Sequence, residues 1–387
     1  MIRYAMASLT PAVLLGLGCV AGGVWIWLGL ASMTLVVFAA DRLTRLPARP
    51  REDSRALAQG NRLCVVLSAA HFLLLGLGVH ALANGTGNPA ATVALWFGVG
   101  LFLGQISNAT GHELIHAPQR GLRRLGIAIF TSLLFGHHVS AHLRVHHPFV
   151  ASDRDPNSAR PGEGFHRFWP RAAIGSFRAG LRAENRLRQG RARGLHPHLI
   201  YTLGGAATVL AALLIAGWPG LIALLTLTTF SQMQLVLSDY VQHYGLRRQT
   251  LADGRFEPVS PRHSWNAAPW YSAAMLLNAP RHSDHHVAPT RRFTALRLNP
   301  DEMPMLPSTF PVMALIATIP PLWKRLMDPR VARFDAARPA DVNLVSTIGS
   351  ETRDPVAEFA HATTIADSDR FPRPTAGRSN SDERRGL

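Results

Sequence analysis

"LCVVLSAAHFLLLGLGVHALANGTGNPAATVALWFGVGLFLGQISNATG", residues 63–111, holds no charged side chain. A bilayer core of roughly 30 Å is crossed by about 20 helical residues. The block is too long for one crossing and about right for two. Its middle carries "NGTGNP" at 84–89, where Gly, Asn and Pro interrupt a helix for backbone reasons. It reads as an apolar helical hairpin. The pattern recurs on both sides. Tyr4 to Ala40 is free of charge around Gly22-Gly23, and Gly194 to Leu237 is free of charge around "GWPG" at 217–220, before Asp239 ends the run. Three hairpins, or six transmembrane helices, are therefore expected: an all-α integral membrane fold. The first block is too long for a signal peptide and lacks a convincing cleavage site.

The net charge of +16 is almost wholly arginine; Lys324 is the single lysine. Such a balance suits nucleic acid, an anionic membrane surface or an acidic protein partner. No zinc-finger spacing, aromatic-basic interleaving or helix-turn-helix signal is present, which argues against nucleic acid. Arg42, Arg45, Arg49, Arg51, Arg55 and Arg62 fill the segment 41–62, and 112–193 is denser still, whereas the hairpin tips carry neither Lys nor Arg. The positive-inside rule puts both termini and every arginine-rich segment in the cytoplasm, in an inner membrane crossed several times. Cys19 and Cys64 both lie in apolar runs, which leaves no disulfide framework and no cysteine-ligated cluster. Residues 112–193 read as helical cytoplasmic structure, with Leu125–Gly136 dipping into the bilayer. Pro304, Pro307, Pro311, Pro320 and Pro321 make 303–323 a surface-lying segment rather than a seventh span. Beyond about residue 340 the composition is that of a disordered tail, 341–387.

Histidine is concentrated in three places, all on the expected cytoplasmic side. "HELIH" offers His112 and His116, four apart and on one helical face. "HLRVHH" offers His142, His146 and His147; "HSDHH" offers His282, His285 and His286. Two of the three clusters lie within a few residues of a membrane segment. Eight imidazoles aimed at one pocket exceed the needs of a single ion, and two metals with about four ligands each would use them. All-imidazole sets suit iron, copper, zinc or nickel. A neutral, nitrogen-rich shell beside a membrane pocket suits oxygen activation by two irons. Glu113, Asp155, Asp239 and Asp284 are near enough in sequence to orient the rings by accepting their second N–H.

Three alternatives stand beside this reading. "HExxH" is also the zinc-protease signature, but that needs one metal and no further clusters. A histidine-rich metal transporter would place polar groups near mid-membrane, where the uncharged blocks offer only His71, Gln105, Ser107 and Asn108. A desaturase, or a hydroxylase of another apolar substrate such as a methyl-arene or a fatty acid, would share the clusters. His243, in "DYVQHYGLRR", reads by itself as a cap or core residue at a helix end. His137 and His138 read as structural or supporting rather than ligating. Trp25, Trp27, Met33 and Phe38 are candidates to line a substrate channel, although Trp near a bilayer interface is more often an anchor.

Taken together, "HELIH", "HLRVHH", "HYGLRR", "HSWN" at 263–266 and "PRHSDHHVAPTRRF" resemble the membrane-bound alkane hydroxylases, the alkane 1-monooxygenases. The likeness runs from about residue 10 to 335. The three-cluster pattern is shared with integral-membrane fatty acid desaturases, sterol oxidases and xylene monooxygenase; the "HYGLRR…HSWN…RHSDHH…PTRR" string is narrower. The resemblance implies a six-helix membrane domain, 1–340, whose cytoplasmic catalytic parts, 110–193 and 239–340, hold a non-haem di-iron centre. It implies nine ligands: His112, His116, His142, His146, His147, His243, His282, His285 and His286. It implies insertion of one atom of O2 into the terminal C–H of a medium-chain alkane arriving from lipid. Electrons would come from rubredoxin, or a ferredoxin, and its NADH-dependent reductase. The chain departs from the family at Ala117, where a basic residue is usual, and at Asp239-Tyr240-Val241-Gln242, where the acid usually stands three positions later. Two membrane cysteines cannot make a fused rubredoxin.

Overall fold

A computed structural model describes residues 1–43, 50–189 and 194–336. The described residues belong to one compact unit. Arg45 and Arg49, and the expected tail 341–387, lie outside the described residues.

The described chain is helical, with no strand beyond two isolated bridges. Helix α1 (Ile2–Ala21) ends at Gly22 and Gly23, whose φ angles of 63° and 57° suit residues without a Cβ. α2 (Val24–Met33) then returns along α1. Their approach depends on small residues, since a Cβ on Gly29 would lie 2.7 Å from Leu15. α2 bends by 42° into α3 (Leu35–Leu43). Asp53 caps α4 (Ser54–Asn84), its Oδ1 accepting from the N–H of Ala56 at 2.8 Å. The "NGTGNP" turn does what its composition suggests: Gly85 takes φ 71°, and Asn88 caps α5 (Pro89–Phe102), with proline in the first helical turn. A π turn, Leu103–Ser107, joins α5 to α6 (Asn108–Ile115).

Next come α7 (Arg120–Ser132), α8 (His137–Ala141), a second π turn (His142–His146), α9 (His147–Phe149) and the arginine-rich α10 (Phe165–Arg188). α11 (Pro197–His243) breaks at Ala216 and Gly217. A straight helix would hold Tyr201 and Gln232 about 46 Å apart. Yet Tyr201 packs against Gly136, and the Gln232 side chain donates to the carbonyl of Leu133 at 2.9 Å. The two halves of α11 therefore double back on each other. Short helices α12 (Trp270–Met275), α13 (His282–Val287), α14 (Phe310–Ala317) and α15 (Pro320–Ala336) complete the unit. The proline-dense 303–323 segment is divided between α14 and the start of α15 at Pro320, and α14 packs on α11.

By length and composition, α1, α4, the α5–α6 run and α11 can cross a membrane, and the bent α2–α3 pair makes up to five. The expected six requires α11 to count twice.

Candidate metal centre

The histidines converge from four directions. α6 supplies His112 and His116, the second π turn and α9 supply His142, His146 and His147, the end of α11 supplies His243, and α13 supplies His282, His285 and His286. They form two groups: His112, His116, His142, His147 and His285 in one, and His146, His243, His282 and His286 in the other. Within each group, one ring nitrogen of every member lies within 4.8 Å of all the others. The groups adjoin, with the His147 and His286 ring centroids 4.7 Å apart.

Sequence spacing suggested that each cluster serves one face, with about four ligands for each of two ions. The division into five and four agrees with the second expectation, but the structure splits two of the clusters between the groups. In a regular helix His142 would share a face with His146. The π turn adds one residue, so His142 and His147 point together and His146 turns to the other group. In α13, His282 and His286 go one way and His285 the other.

The Nε2 atoms of His116, His142 and His147 form a triangle with edges of 2.9–3.1 Å. Each such nitrogen is either a donor or an acceptor. At least one edge of the triangle must therefore set like against like, whatever the tautomers. A cation at the centre removes the conflict, because every lone pair then points at positive charge. An ion with nitrogens at about 2.1 Å and right angles between them would space neighbours about 3.0 Å apart. The second group has the same spacing: His243 to His282 is 3.1 Å and His282 to His286 is 3.0 Å. The Nε2 atoms of His112, His146 and His285 are buried without a hydrogen-bond partner, a costly arrangement unless something accepts their lone pairs. The donor set fits metal.

Burial pushes His142, His147, His282, His285 and His286 well below the ordinary histidine range, and their mutual repulsion adds to it. Both effects favour the neutral form, which is the form that binds metal. Burial pulls His146 down as well, but the carboxylates of Asp155 and Asp239 outweigh it and hold it above its ordinary value.

Of the four carboxylates expected to orient rings, Asp155 does so: its Oδ2 lies 2.9 Å from Nδ1 of His146. That bond places a ring proton on Nδ1, so Nε2, which has no hydrogen-bond partner, is the nitrogen available to a metal. The other three brace the frame. Glu113 pairs with Arg292 at 2.8 Å and accepts from the N–H of Phe293, tying α6 to the strap behind α13. Asp284 pairs with Arg291 and accepts from the N–H of Arg297. Asp239 accepts from Asn157 at 2.6 Å. These three needed arginine and asparagine partners 7 to 179 residues away, which local spacing cannot reveal. His243 has Nδ1 3.4 Å from the carbonyl of His263, so the "HSWN" stretch helps turn its Nε2 toward His282.

A cavity of about 380 Å³ ends at His112, His142 and His282. Phe97, Leu101, Phe230, Met233, Leu237 and Phe310 make its apolar wall, and Gln105, Asn108, Gln234, Asp239 and Gln242 also face it. Gln242, which replaces the family's usual acid, donates to the carbonyl of Ala279. His138 also lines this space, stacked on Phe135. The sequence offers α2 and α3 as candidates for a channel wall, with a lipid-interface anchor as the alternative. Trp25, Trp27 and Phe38 are exposed and Met33 is buried in the core, and none of the four lines the cavity. A wall facing lipid and a wall facing an alkane are equally apolar, so hydropathy cannot separate them.

The family model for fatty acid desaturase matches residues 86–312, more than half of the chain. Alkane 1-monooxygenase 2 of Pseudomonas aeruginosa is 32% identical over 324 residues, 81% of this chain and 85% of its own length. Alkane 1-monooxygenase 2 of Alcanivorax borkumensis is 29% identical over 320 residues, 80% of this chain and 84% of its own. A xylene/toluene monooxygenase hydroxylase component of Pseudomonas putida is 27% identical over 352 residues, 86% of this chain and 90% of its own. With two buried imidazole groups at the end of an apolar cavity, and these likenesses over most of its length, the chain belongs to the fatty acid desaturase family and, within it, to the alkane 1-monooxygenases, which are oxidoreductases.

Proposed function

We propose that this protein is an inner-membrane di-iron monooxygenase that hydroxylates the terminal carbon of medium-chain alkanes. The observation that carries the reading is the pair of adjoining histidine groups at the closed end of an apolar cavity. His112, His116, His142, His147 and His285 would hold one iron, and His146, His243, His282 and His286 the other. When bound, the irons supply the redox chemistry of O2 activation, which imidazole side chains alone do not provide.

The balance is R–CH3 + O2 + 2 e⁻ + 2 H⁺ → R–CH2OH + H2O. The protein's own part is positioning and exclusion. An alkane offers no polar handle, so it is held by shape and contact at about 0.8 kcal/mol per buried CH2. The aromatic and aliphatic wall between α5, the second half of α11 and α14 admits a chain lengthwise, one end toward His112 and His282. Leu315, on α14, is a cavity residue that is also exposed on the outer surface, which supports access from lipid. Asp155 orients the His146 ring, and burial favours the neutral form of His142 and His147, whose lone pairs would face the metal.

In this reading α11 crosses the bilayer twice, giving six spans in three hairpins with both termini in the cytoplasm. The doubling back at Gly217 and the absence of Lys and Arg from the three tips support it. The arginines of α7 and α10 face the cytoplasm and suit an acidic electron donor such as rubredoxin, itself reduced by an NADH-dependent reductase.

The test is product analysis with ¹⁸O2, using the protein in nanodiscs with rubredoxin, its reductase and NADH. Octane yielding 1-octanol that carries the label supports the reading. Conversion of xylene or an acyl chain with octane untouched would move the chain to another branch of the family, and no oxygen consumption with any of them would end the proposal.

A further inference from the structure

A second cavity of about 380 Å³ lies between α4, α5 and the second half of α11, beyond the far end of the first. Leu82, Trp96, Pro219, Ile222 and Thr226 are on its wall. The two cavities meet back to back on one aromatic pair. Phe230 lines the first cavity and Trp96 the second, and their rings stack with centroids 4.8 Å apart and planes 26° from parallel. Phe97, on the first cavity, packs edge-on to both, at 4.9 Å from Trp96 and 5.9 Å from Phe230.

The pair is held in place. Trp96 donates its indole N–H to Oγ1 of Thr226 at 3.2 Å. Phe230 sits over Gly100, where a Cβ would come within 2.6 Å of its ring. One turn further along, Gln234 lies over Gly104 and donates to the carbonyl of Gly100 at 2.9 Å. Two glycines four apart on α5 and its π turn thus receive two side chains four apart on α11.

We propose that the Trp96–Phe230 stack, flanked by Phe97, is the end wall of the substrate cavity and sets the longest chain accepted. This rests on the alkane reading above. Phe97 stands 15 residues before His112, about 22 Å along the helix axis. An extended chain advances by about 1.3 Å per carbon, so the wall allows roughly 17 carbons. Removing the Trp96 ring joins the two spaces. Thr92, on the second cavity, is one turn past Trp96, which adds about 6 Å, or about five carbons.

The experiment measures turnover of a series of n-alkanes from about 8 to about 24 carbons, and binding of the matching 1-bromoalkanes by thermal shift. It compares wild type with Trp96→Ala, Phe230→Trp, Trp96→Phe and Trp27→Ala. Each methylene newly buried is worth about fourfold in binding, so Trp96→Ala should favour a chain two carbons past the wild-type limit by about fifteenfold. Phe230→Trp should move the limit toward shorter chains. Trp96→Phe keeps a stacking ring, and Trp27 faces outward, so both should keep the wild-type limit. A limit unmoved by both Trp96→Ala and Phe230→Trp, in proteins that still bind short chains, overturns the wall. If wild type oxidises no alkane, the alkane reading fails, while the binding series still decides whether this stack bounds the cavity.

Discussion

The bond between Asp155 and His146 allows a selective perturbation, because it touches one histidine group and not the other. Oδ2 of Asp155 lies 2.9 Å from Nδ1 of His146 and accepts from Ser158 at 2.7 Å, while Oδ1 accepts the N–H of Asn157 at 3.0 Å. Asp155→Asn keeps the size and removes the charge. A buried hydrogen bond to a charged group contributes about 1.5–3 kcal/mol, a factor of roughly 10 to 100 in the affinity of a metal whose ligand it orients. The expected result is that loss at the group of His146, His243, His282 and His286. The five-histidine group, with no member bonded to Asp155, should change by no more than about threefold. The assay is anaerobic titration of metal-free protein with Fe(II) against a competing chelator, with the two sites resolved. Ser158→Ala, which removes a hydrogen bond donated to the same carboxylate oxygen, should cost about 1.5–3 kcal/mol of stability. Equal weakening of both sites by Asp155→Asn, or no weakening, would refute the argument that this carboxylate tunes one site through His146.

Three further outcomes are expected. His285→Ala should weaken metal binding at the five-histidine group and His286→Ala at the four-histidine group, although the residues are adjacent; difference spectra of the Co(II)-substituted protein separate the two. Arg292→Ala strands Glu113, which is 9% exposed at its side chain, and should destabilise the protein by about 3–5 kcal/mol in chemical unfolding, whereas the double change with Glu113→Gln recovers part of that loss. Burial alone would raise the Glu163 carboxyl, but Arg171, bonded to both oxygens at 2.8 Å, outweighs it and holds the group below its ordinary value. Its contribution is complete above the ordinary glutamate pKa of about 4.5 and is lost as pH falls through the lowered value, so thermal scans below pH 4.5 should show a shallower decline for Arg171→Ala.

Charge and backbone breakers made much of the fold legible. Gly22-Gly23, Gly85 with Asn88, and Gly217 are where the charge-free runs turn, because the chain needs positive φ or a capped helix start there. Eight of the histidines were legible from their clustering, while His243, which reads by itself as a cap or core residue, joined them only through the family resemblance. Their division was not legible, because a π turn is one residue of extra winding that 3.6-residue periodicity does not announce. Glu113, Asp239 and Asp284 looked like partners for the nearest rings, but a buried carboxylate takes whichever donor the fold brings closest: Arg292, Asn157 and Arg291. The cavity wall escaped for a different reason. Its residues on α5, α11 and α14 are no more apolar than Trp25 or Phe38 facing outward, and only packing tells a tunnel from a lipid face.

The central claim is that the two histidine groups hold two irons at the closed end of the cavity. Elemental analysis of the purified full chain in nanodiscs, by mass spectrometry, tests it most directly. The account expects about two irons per chain, falling toward one in His286→Ala. A single zinc per chain, or iron near two that is indifferent to that substitution, would contradict it.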